Sequence, residues 1–389
     1  MKKINLLYYS KALNANHGGR YHSEAFLKES KINVRTDNVY SFPEKDIEEK
    51  VPLQKKEISD NRLRNILKKN SLFQIFSFLR LNWLSFIEIT SIIESYDIDA
   101  IHIRMTRNFF ILKRLKKRYP KLVISTEVNA SPFDESFKNI AFKSFFRNQE
   151  RQSLYYADCN FFVSSYLREK IMGMHNTERD YVVHNGVHLD MFKELVQKEL
   201  SKEALVFGYI GTLDFHKNLE TLFDAFKIVI VNYPSKKLKL ILVGDGPMAN
   251  YLKSYVDKIG LNEYVEFTGW INHNNIPIYL KRMDVAVHHS ANPYMSPLKI
   301  FEYMAIGLPV IGPDIPAVNE ILTNNEDILL VQNQSEDIAD KMMILINDLD
   351  LRAKISENGK IKIRNFYGWS HNAENILSVI QRKYHNKAI

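Results

Sequence analysis

The stretch "DVAVHHSANPYMSPLKIFEYMAIGLPVI", residues 284–311, decides the fold class, because it contains a strand, a helix and a second strand. "DVAVHHS" and "LPVIG" are apolar runs of strand length. Between them, Ser296 is a good N-cap, Pro297 suits the first helical position and Gly307 suits the position after the last helical residue. The pattern predicts a short helix that joins two strands of one sheet.

The same alternation of strands and helices continues on both sides of this stretch. Other strand-length runs in the second half are "ALVFGYIG", "LKLILVG", "VEFTG" and "ILLV", and runs in the first half are "KINLLYYS", "AIHIRM", "LVISTEV" and "CNFFVS". Most of them are apolar throughout, as expected of strands with helices on both faces. Repeated βα units predict an α/β protein with doubly wound parallel sheets, in which ligands bind at the carboxyl ends of the strands.

The length and the polar connector near residues 190–203 predict two domains with a cleft between them. We expect an N-terminal Rossmann-like domain over 1–195 and a C-terminal one over 196–366. A final helix is expected over 367–389, and it would cross back to the N-terminal domain.

The composition is that of a basic globular protein. Lys and Arg number 53 against 45 Asp and Glu, which gives a net charge of +8 and favours anionic partners. The single cysteine, Cys159, excludes an intrachain disulfide, and no Cys/His spacing indicates a metal site. His288 and His289 would point to opposite faces of a strand. The basic start "MKKINLLYYS" is too short in apolar residues for a signal peptide, and no apolar run spans a membrane, so we expect a cytoplasmic protein.

Lys299 and Glu302 lie one turn apart at the start of the predicted ten-residue helix 297–306. A lysine in the first turn opposes the helix dipole, unless an anion binds at that end. Glu302 is then placed to accept hydrogen bonds from hydroxyl groups such as those of a ribose. The simpler alternative is an i,i+3 ion pair on a surface helix.

Three further strand–loop–helix junctions support a ligand site. They are "GYIGTLDFHKN" over 208–218, with Gly211 at the turn and Lys217 near the helix start, "LVGDGP" over 242–247, and "TGWINHNN" over 268–275. Each alone is a common βα loop. Four such loops in this order are much more specific.

The C-terminal half closely resembles the retaining glycosyltransferases of family 4, also called group 1, which have the two-domain GT-B fold. The matching stretches, over roughly 205–322, are "GYIGTLDFHKNLETLFDAF", "LILVGDGPMANYL", "VEFTGWI", "DVAVHHSANPYMSPLKIFEYMAIGLPVI" and "NEIL". In the first half, "NANHGGRYHSEAFL" looks like the glycine-rich loop of the family, and "VHNGVHLDMF" looks like its boundary signature.

The resemblance implies roles for residues at the matching positions. Lys217 is expected on the donor diphosphate and Glu302 on the donor ribose, and both are expected to take part in catalysis. The other donor-binding residues implied are Gly18, Gly19, Gly211, Trp270, Ile271, Ser296, Pro297, Leu298 and Lys299. At strand ends of the first half, Glu127 is a candidate sugar ligand or base, with a capping or salt-bridged carboxylate as the alternative, and Arg104 and Asn129 are candidate acceptor or sugar ligands.

Three positions depart from the family pattern. Tyr294 stands where the first glutamate of the Glu-x7-Glu motif is expected, and Thr212 replaces an arginine after the turn glycine. Glu127 replaces a histidine that often follows the strand "VIST". The sugar hydroxyls must then find other partners, and Lys217 and Lys299 become the expected phosphate ligands.

The resemblance implies a metal-independent, retaining hexosyltransferase-type enzyme that builds a bacterial surface polysaccharide such as lipopolysaccharide or capsule. Its partners would be a nucleoside-diphosphate sugar, with UDP-sugars slightly favoured over GDP-sugars, and a saccharide acceptor that is lipid-linked. No cofactor, metal or nucleic acid is expected. Lysines and helix-end N–H groups would stabilise the leaving phosphate. The alternatives are a GT-B nucleotide-sugar epimerase and a non-enzymatic basic binding protein.

Two segments mix basic and aromatic residues, "NRLRNILKKNSLFQIFSFLRLNWLSFIEI" over 61–89 and "FKSFFRNQERQ" over 142–152. Such helices can lie on an anionic membrane surface. The alternative is that their apolar faces pack in the core of the N-terminal domain. The first interpretation predicts a protein at the inner face of the cell membrane.

Overall fold

The computed structural model describes residues 2–14, 18–43, 71–106, 108–134, 137, 140–192, 204–272, 275–296 and 298–388. Contacts divide the chain into two units, Met1–His184 with Ser370–Ile389, and Asn185–Trp369. These limits differ from the predicted 195/196 and 366/367. One reason is that Val187 N–H donates to the Tyr367 carbonyl at 2.8 Å, which ties the segment after 184 to the second unit.

The first unit contains a parallel sheet with the strand order β2-β1-β3-β4-β5-β6. Its described strands are β1 Ile4–Tyr9, β2 Thr36–Phe42, β3 Ala100–Met105, β4 Val123–Val128, β5 Cys159–Phe162 and β6 Asp180–Val182. Its described helices are α1 Gly18–Ile32, α2 Ser71–Ser95, α3 Ile111–Arg118, α4 Lys143–Leu154, α5 Ser165–Met172 and, from Ser370 onward, α13 Trp369–Ala388.

The second unit has the strand order β12-β11-β10-β7-β8-β9, again with parallel pairs. Its described strands are β7 Leu205–Ile210, β8 Leu238–Val243, β9 Val265–Phe267, β10 Val285–Val287, β11 Val310–Pro313 and β12 Leu329–Val331. Its described helices are α6 Leu219–Asn232, α7 Ala249–Lys258, α8 Ile276–Leu280, α9 Leu298–Ala305, α10 Pro316–Asn319, α11 Ser335–Asn347 and α12 Leu349–Phe366.

Alternate residues of β8 enter two different apolar clusters. Leu240 and Leu242 pack in one cluster, whereas Ile241 and Val243 pack in the other. Successive side chains of a strand point to opposite faces, so both faces of this sheet are covered. The predicted α/β class with doubly wound parallel sheets is therefore confirmed.

The last helix, α13, contacts the start of the chain. Gln381 donates to the Lys2 carbonyl at 2.9 Å, and Arg35 donates to Gln381 at 2.8 Å. Arg35 also forms an ion pair with Glu374 at 2.5 Å. These contacts explain why residues from 370 onward belong to the first unit.

Of the two basic-aromatic segments, residues 61–70 lie outside the described residues, and 71–89 form most of α2. Among the described helices, α2 is long and apolar enough to cross a membrane, judged by length and composition alone. The sequence analysis predicted no such segment. The difference arises because the polar residues of α2 are mostly uncharged, which keeps its mean hydropathy at 1.2.

A buried carboxyl group in α4 makes the stability of the first unit pH-dependent. Burial raises the pKa of Glu150 to about 8, and its Oε2 accepts a hydrogen bond from Ser131 at 2.8 Å. The folded state keeps this proton between about 4.5 and about 8, whereas the unfolded chain releases it. Rising pH therefore favours unfolding across that window.

Replacement of Glu150 by glutamine is expected to remove this dependence, because the amide keeps the hydrogen-bonding shape and cannot ionise. As the pH rises through this window, the free energy of unfolding of wild type should fall relative to that of Glu150→Gln by on the order of 1 kcal/mol per pH unit. Urea denaturation at several pH values measures the difference. The exposed Glu169→Gln is the control, and parallel curves for wild type and Glu150→Gln would contradict the prediction.

Candidate functional site

In the second unit, two loops meet at the carboxyl end of the sheet. Gly211 N–H donates to the Val243 carbonyl at 3.0 Å. A Cβ atom on Gly244 would lie 1.9 Å from the Gly211 carbonyl oxygen, and one on Gly246 would lie 2.3 Å from that of Leu213. Glycines at 244 and 246 are therefore required for the "GDGP" loop to pack on the loop after β7.

Helix α9 begins at Leu298, next to these loops in the sheet order, and carries Lys299 in its first turn. Lys299 Nζ donates to both carboxylate oxygens of Glu302, at 2.9 and 2.7 Å. The Glu302 side chain is only 9% exposed. The i,i+3 pair considered as the simpler alternative is thus present, and it holds a buried carboxylate in place. Pro297 lies outside the described residues.

Ser296, two residues before the start of α9, is held by a side chain that was not predicted from the sequence. Asn185 Nδ2 donates to the Ser296 carbonyl at 3.1 Å. Asn185 Oδ1 and Ser296 Oγ are both buried and, among the described residues, have no hydrogen-bond partner. Buried polar atoms of this kind cost free energy unless water or a ligand binds them. The motif "VHNGV" pointed to residue 185, but not to its contact with Ser296.

Two buried histidines end β10. Burial and the nearby charge of Lys217 lower the pKa of His288 to about 3. Burial lowers the pKa of His289 to about 4, and its Nε2 lies 3.0 Å from the Asn218 carbonyl. Both imidazoles are therefore neutral at pH 7. They add polar atoms to this edge without adding charge.

Lys217 lies at the end of a short turn before α6. Burial lowers the pKa of its ammonium, although Asp214 acts in the opposite direction. A half-buried ammonium of this kind is suited to an anionic ligand.

The remaining predicted residues of this unit differ in exposure. Trp270 is 68% exposed, whereas Ile271 packs against the cluster beneath α9. Tyr294, at the position of the missing glutamate, is buried. Thr212, at the position of the missing arginine, is exposed. Tyr294 is therefore part of the packing, whereas Thr212 leaves the loop without a cation at that position.

In the first unit, a charged cluster forms at the carboxyl ends of β3 and β4. The parallel register pairs His102 with Ser125 and Arg104 with Glu127, so all four side chains lie on one face. Helix α1 covers this face with His22. Arg104 contacts Glu127 at 2.5 Å, and His22 Nε2 contacts it at 2.9 Å.

Glu127 is buried and ionised. Burial by itself raises the pKa of its carboxyl group, but His22 and Arg104 outweigh that effect and hold the pKa well below its usual range. Burial and Arg104 lower the pKa of His22, which keeps this imidazole neutral at pH 7. The cluster is thus an Arg104–Glu127 ion pair with a neutral histidine as a further hydrogen-bond donor.

The two oxygens of Glu127 have different surroundings. Oε1 accepts hydrogen bonds from Arg104 and Asn129 and lies against His22. Oε2 is buried and has no hydrogen-bond partner among the described residues. His102 Nε2 lies 3.6 Å from Oε2, too far for a good hydrogen bond. Oε2 is therefore a buried acceptor without a hydrogen bond among the described residues.

The structure thus brings together the predicted Arg104, Glu127 and Asn129, and it adds His22 and His102, which the sequence analysis missed. His22 follows the glycine pair by a few residues, so the spacing after Gly18 and Gly19 was an available signal. Gly18 and Gly19 begin α1. Their proposed approach to a diphosphate from the other domain stays a prediction, as does the cleft. Among the described residues, no group of three or more His, Cys, Asp or Glu could hold a metal ion.

Comparisons with known proteins show which sequences and folds this chain resembles. Residues 191–362 match the sequence model of the family described as Glycosyl transferases group 1. The UDP-Gal:alpha-D-GlcNAc-diphosphoundecaprenol alpha-1,3-galactosyltransferase of Escherichia coli is 31% identical over 193 residues, which cover 47% of this chain and 49% of that protein. Matches to the curated relatives span about half the length of those proteins.

Two solved structures resemble the whole chain. A glycosyltransferase from Rickettsia africae ESF-5 has a TM-score of 0.71 at 17% identity, with 99% of this chain and 100% of that chain covered. Anabaena Alr3699/HepE in complex with UDP has a TM-score of 0.66 at 17% identity, with 97% and 99% covered. Identity this low establishes the fold alone.

The family and the named relatives are glycosyltransferases, and they lend no support to the epimerase alternative. The two parallel sheets and the structural matches establish the GT-B fold. Residues 191–362, in the second unit, match the sequence of the group 1 glycosyltransferase family, and the chain as a whole has the GT-B fold.

Proposed function

We propose that this protein transfers a sugar from a nucleoside-diphosphate sugar to a saccharide acceptor. The observation that carries the proposal is the buried Lys299–Glu302 pair in the first turns of α9. A buried carboxylate that a lysine orients can accept hydrogen bonds from paired hydroxyls, and the ribose of a nucleotide offers such a pair. Lys217 and the free N–H groups at the start of α9 supply positive potential for the diphosphate.

The donor is proposed to be a UDP-sugar, with a GDP-sugar as the other choice. The named Escherichia coli relative uses UDP-Gal, and Anabaena HepE was solved with UDP. Exposed Trp270 lies in the loop after β9, where it is available to contact the base. No cofactor is proposed.

The proposed reaction breaks the bond between the sugar C1 and the diphosphate oxygen and forms a bond between C1 and the acceptor oxygen. The electron pair of the broken bond leaves with the diphosphate. The acceptor attacks C1 from the face that the diphosphate leaves, and its proton moves to a phosphate oxygen. The anomeric configuration at C1 is therefore retained without a protein nucleophile. Lys217 and Lys299 stabilise the negative charge that grows on the leaving group, and they make the proposed reaction independent of a metal ion.

Glu127 has a narrower role in this proposal than that of a general base. A carboxylate whose pKa is held well below its usual range is a weak base. Its Oε2, which is buried and lacks a hydrogen bond among the described residues, is instead proposed to accept one from a sugar hydroxyl. Arg104 and Asn129 fix the carboxylate in position.

The acceptor is proposed to be a lipid-linked saccharide in the synthesis of a bacterial surface polysaccharide, such as lipopolysaccharide or capsule. The name of the Escherichia coli relative describes an acceptor on a diphosphoundecaprenol. A lipid-linked acceptor is embedded in a membrane, and the enzyme must bind it there. We therefore propose a cytoplasmic protein at the inner face of the cell membrane.

The proposal predicts acceptor-dependent release of nucleotide from one donor sugar, with an α-linked product from an α-linked donor. EDTA should leave the initial rate unchanged, because lysines take the place of a metal ion. The measurement is a coupled nucleotide-release assay over a panel of UDP- and GDP-sugars, followed by NMR of the anomeric proton. Inversion at C1, or loss of activity in EDTA that Mg²⁺ restores, would contradict the proposed mechanism.

A further inference from the structure

Helix α2 turns several polar side chains toward the unit and a row of large apolar side chains outward, which is the reverse of the usual pattern of an amphipathic helix. The side chains that face into the unit include the polar residues Gln74, Asn82, Ser85 and Thr90. The exposed side of the helix carries the apolar residues Leu72, Phe76, Leu79, Trp83 and Ile87. These five residues follow one another at helical spacing and form a single stripe.

The inward face of α2 is held by specific contacts, so the helix is not misplaced on the surface. Phe78 lies among the rings of Phe109, Phe110, Phe133, Phe137 and Phe146, with centroids 4.9 to 6.1 Å apart. Asn82 accepts a hydrogen bond from Phe110 N–H at 3.0 Å. Tyr9 donates to Glu88 at 2.6 Å, and Lys11 pairs with the same carboxylate.

A second pair of aromatic side chains is exposed near the start of α2. Ala141 N–H donates to Ser71 Oγ, which brings the turn before α4 next to α2. In that turn, Phe142 is 78% exposed and has a positive φ of 56°. Phe145 is 57% exposed. Two exposed phenylalanines thus lie in the segment that contacts the start of α2, near the stripe of five apolar residues, and clustered exposed apolar side chains of this kind mark interaction sites.

The charged residues nearest the exposed apolar residues are basic, whereas the acids of α2, Glu88 and Glu94, pair with Lys11 and Arg118. Arg80 is the charged residue of 71–87, and Lys143 and Arg147 are those of 141–149. Arg147 contacts Asp134. Glu150, the nearest acid in α4, is buried and uncharged at pH 7, because burial raises its pKa to about 8. Arg80 and Lys143 therefore place positive charge beside the apolar residues, while the charge of Arg147 is offset by Asp134.

We propose that the outer apolar face, defined as Leu72, Phe76, Leu79, Trp83, Phe142 and Phe145, docks on an anionic lipid bilayer. Helix α2 then lies in the plane of the interface with its aromatic rings among the acyl chains and its basic residues at the lipid headgroups. Its inward contacts oppose a spanning arrangement, since Phe78 and Asn82 would have to leave the unit. The inference rests on the proposed function, because it names the membrane as the place where the lipid-linked acceptor is met.

Charge distinguishes a bilayer from a second copy of this chain. In a two-fold contact between copies, the same face meets itself, and its basic residues approach one another. Like charges across an interface oppose association. An anionic lipid surface complements both the apolar stripe and the positive charges of Arg80 and Lys143.

The test is co-sedimentation of the full chain with vesicles of phosphatidylglycerol and phosphatidylcholine, compared with phosphatidylcholine alone. The double variant Phe76→Gln/Trp83→Gln should bind anionic vesicles more weakly than wild type, by about tenfold or by a larger factor. Arg80→Gln should weaken binding to anionic vesicles and leave the weak binding to neutral vesicles unchanged. The matched control is Phe366→Gln, because Phe366 in the second unit is 66% exposed, as is Phe76.

Three results would overturn the inference. They are no binding of wild type to anionic vesicles at low salt, equal binding of wild type and the double variant, and a solution dimer that the double variant breaks while vesicle binding is unchanged. Failure of the inference is separable from failure of the proposed function. Transfer to a water-soluble acceptor analogue should proceed at the wild-type rate in the double variant, and it should be lost in Glu302→Ala.

Discussion

Replacement of Glu302 by alanine is expected to weaken UDP binding about 10- to 150-fold. A hydrogen bond to a charged group contributes about 1.5–3 kcal/mol, which corresponds to that range. The effect should be large because the Glu302 carboxylate is buried and already oriented by Lys299. Isothermal titration calorimetry with UDP measures the loss directly.

The affinities for UDP and for pyrophosphate distinguish the role of Glu302 from that of Lys299. Glu302→Ala should lose affinity for UDP and keep its affinity for pyrophosphate, because the ribose contact is absent and Lys299 remains. Lys299→Met should weaken both ligands. If Glu302→Ala binds UDP as tightly as wild type, the pair is only an i,i+3 contact within α9.

Replacement of Glu127 by alanine is expected to destabilise the first unit by about 3–5 kcal/mol, because it leaves the Arg104 charge buried without its partner. Chemical denaturation followed in the first unit measures this loss. The control is the double variant Glu127→Leu/Arg104→Met, which removes both charges and should restore most of the stability. That variant should still lack transfer activity, because no carboxylate remains to accept a hydrogen bond from the sugar.

Two further outcomes of that experiment would contradict the account. An active double variant would exclude Glu127 as a substrate ligand. A stable Glu127→Ala would mean that Arg104 finds another partner. The pH dependence gives a third check: since the folded pKa of Glu127 is depressed, its stabilisation is present above about pH 4.5 and is lost as the pH falls below it. This is opposite in sign to the effect of Glu150.

The sequence predicted the second unit better than the first for a physical reason. Ser296 and Gly307 are local signals, and α9 begins at Leu298 and ends at Ala305, between them. The contact of Asn185 with Ser296 joins residues 111 positions apart, and no local pattern encodes it. Likewise, His22 reaches Glu127 only because α1 packs over the face that β3 and β4 share.

Helix α2 shows a different limit of sequence analysis. Its residue spacing predicts a helix and distinguishes an apolar side from a polar one. Which side faces inward depends on partners such as Phe109 and Phe110, whose position follows from the whole sheet. A local pattern would normally place the apolar side in the core. The structure places Asn82 there and leaves Trp83 exposed.

The most direct test of the central claim is transfer of a radiolabelled sugar from its nucleotide to lipid. Wild type and Glu302→Ala are incubated separately with each labelled UDP- or GDP-sugar and with membrane lipids from the cells that make this protein. The account predicts a labelled, solvent-extractable glycolipid with wild type and one donor, reduced to background in Glu302→Ala. Consumption of a donor without acceptor, or no labelled product from any donor, would contradict it.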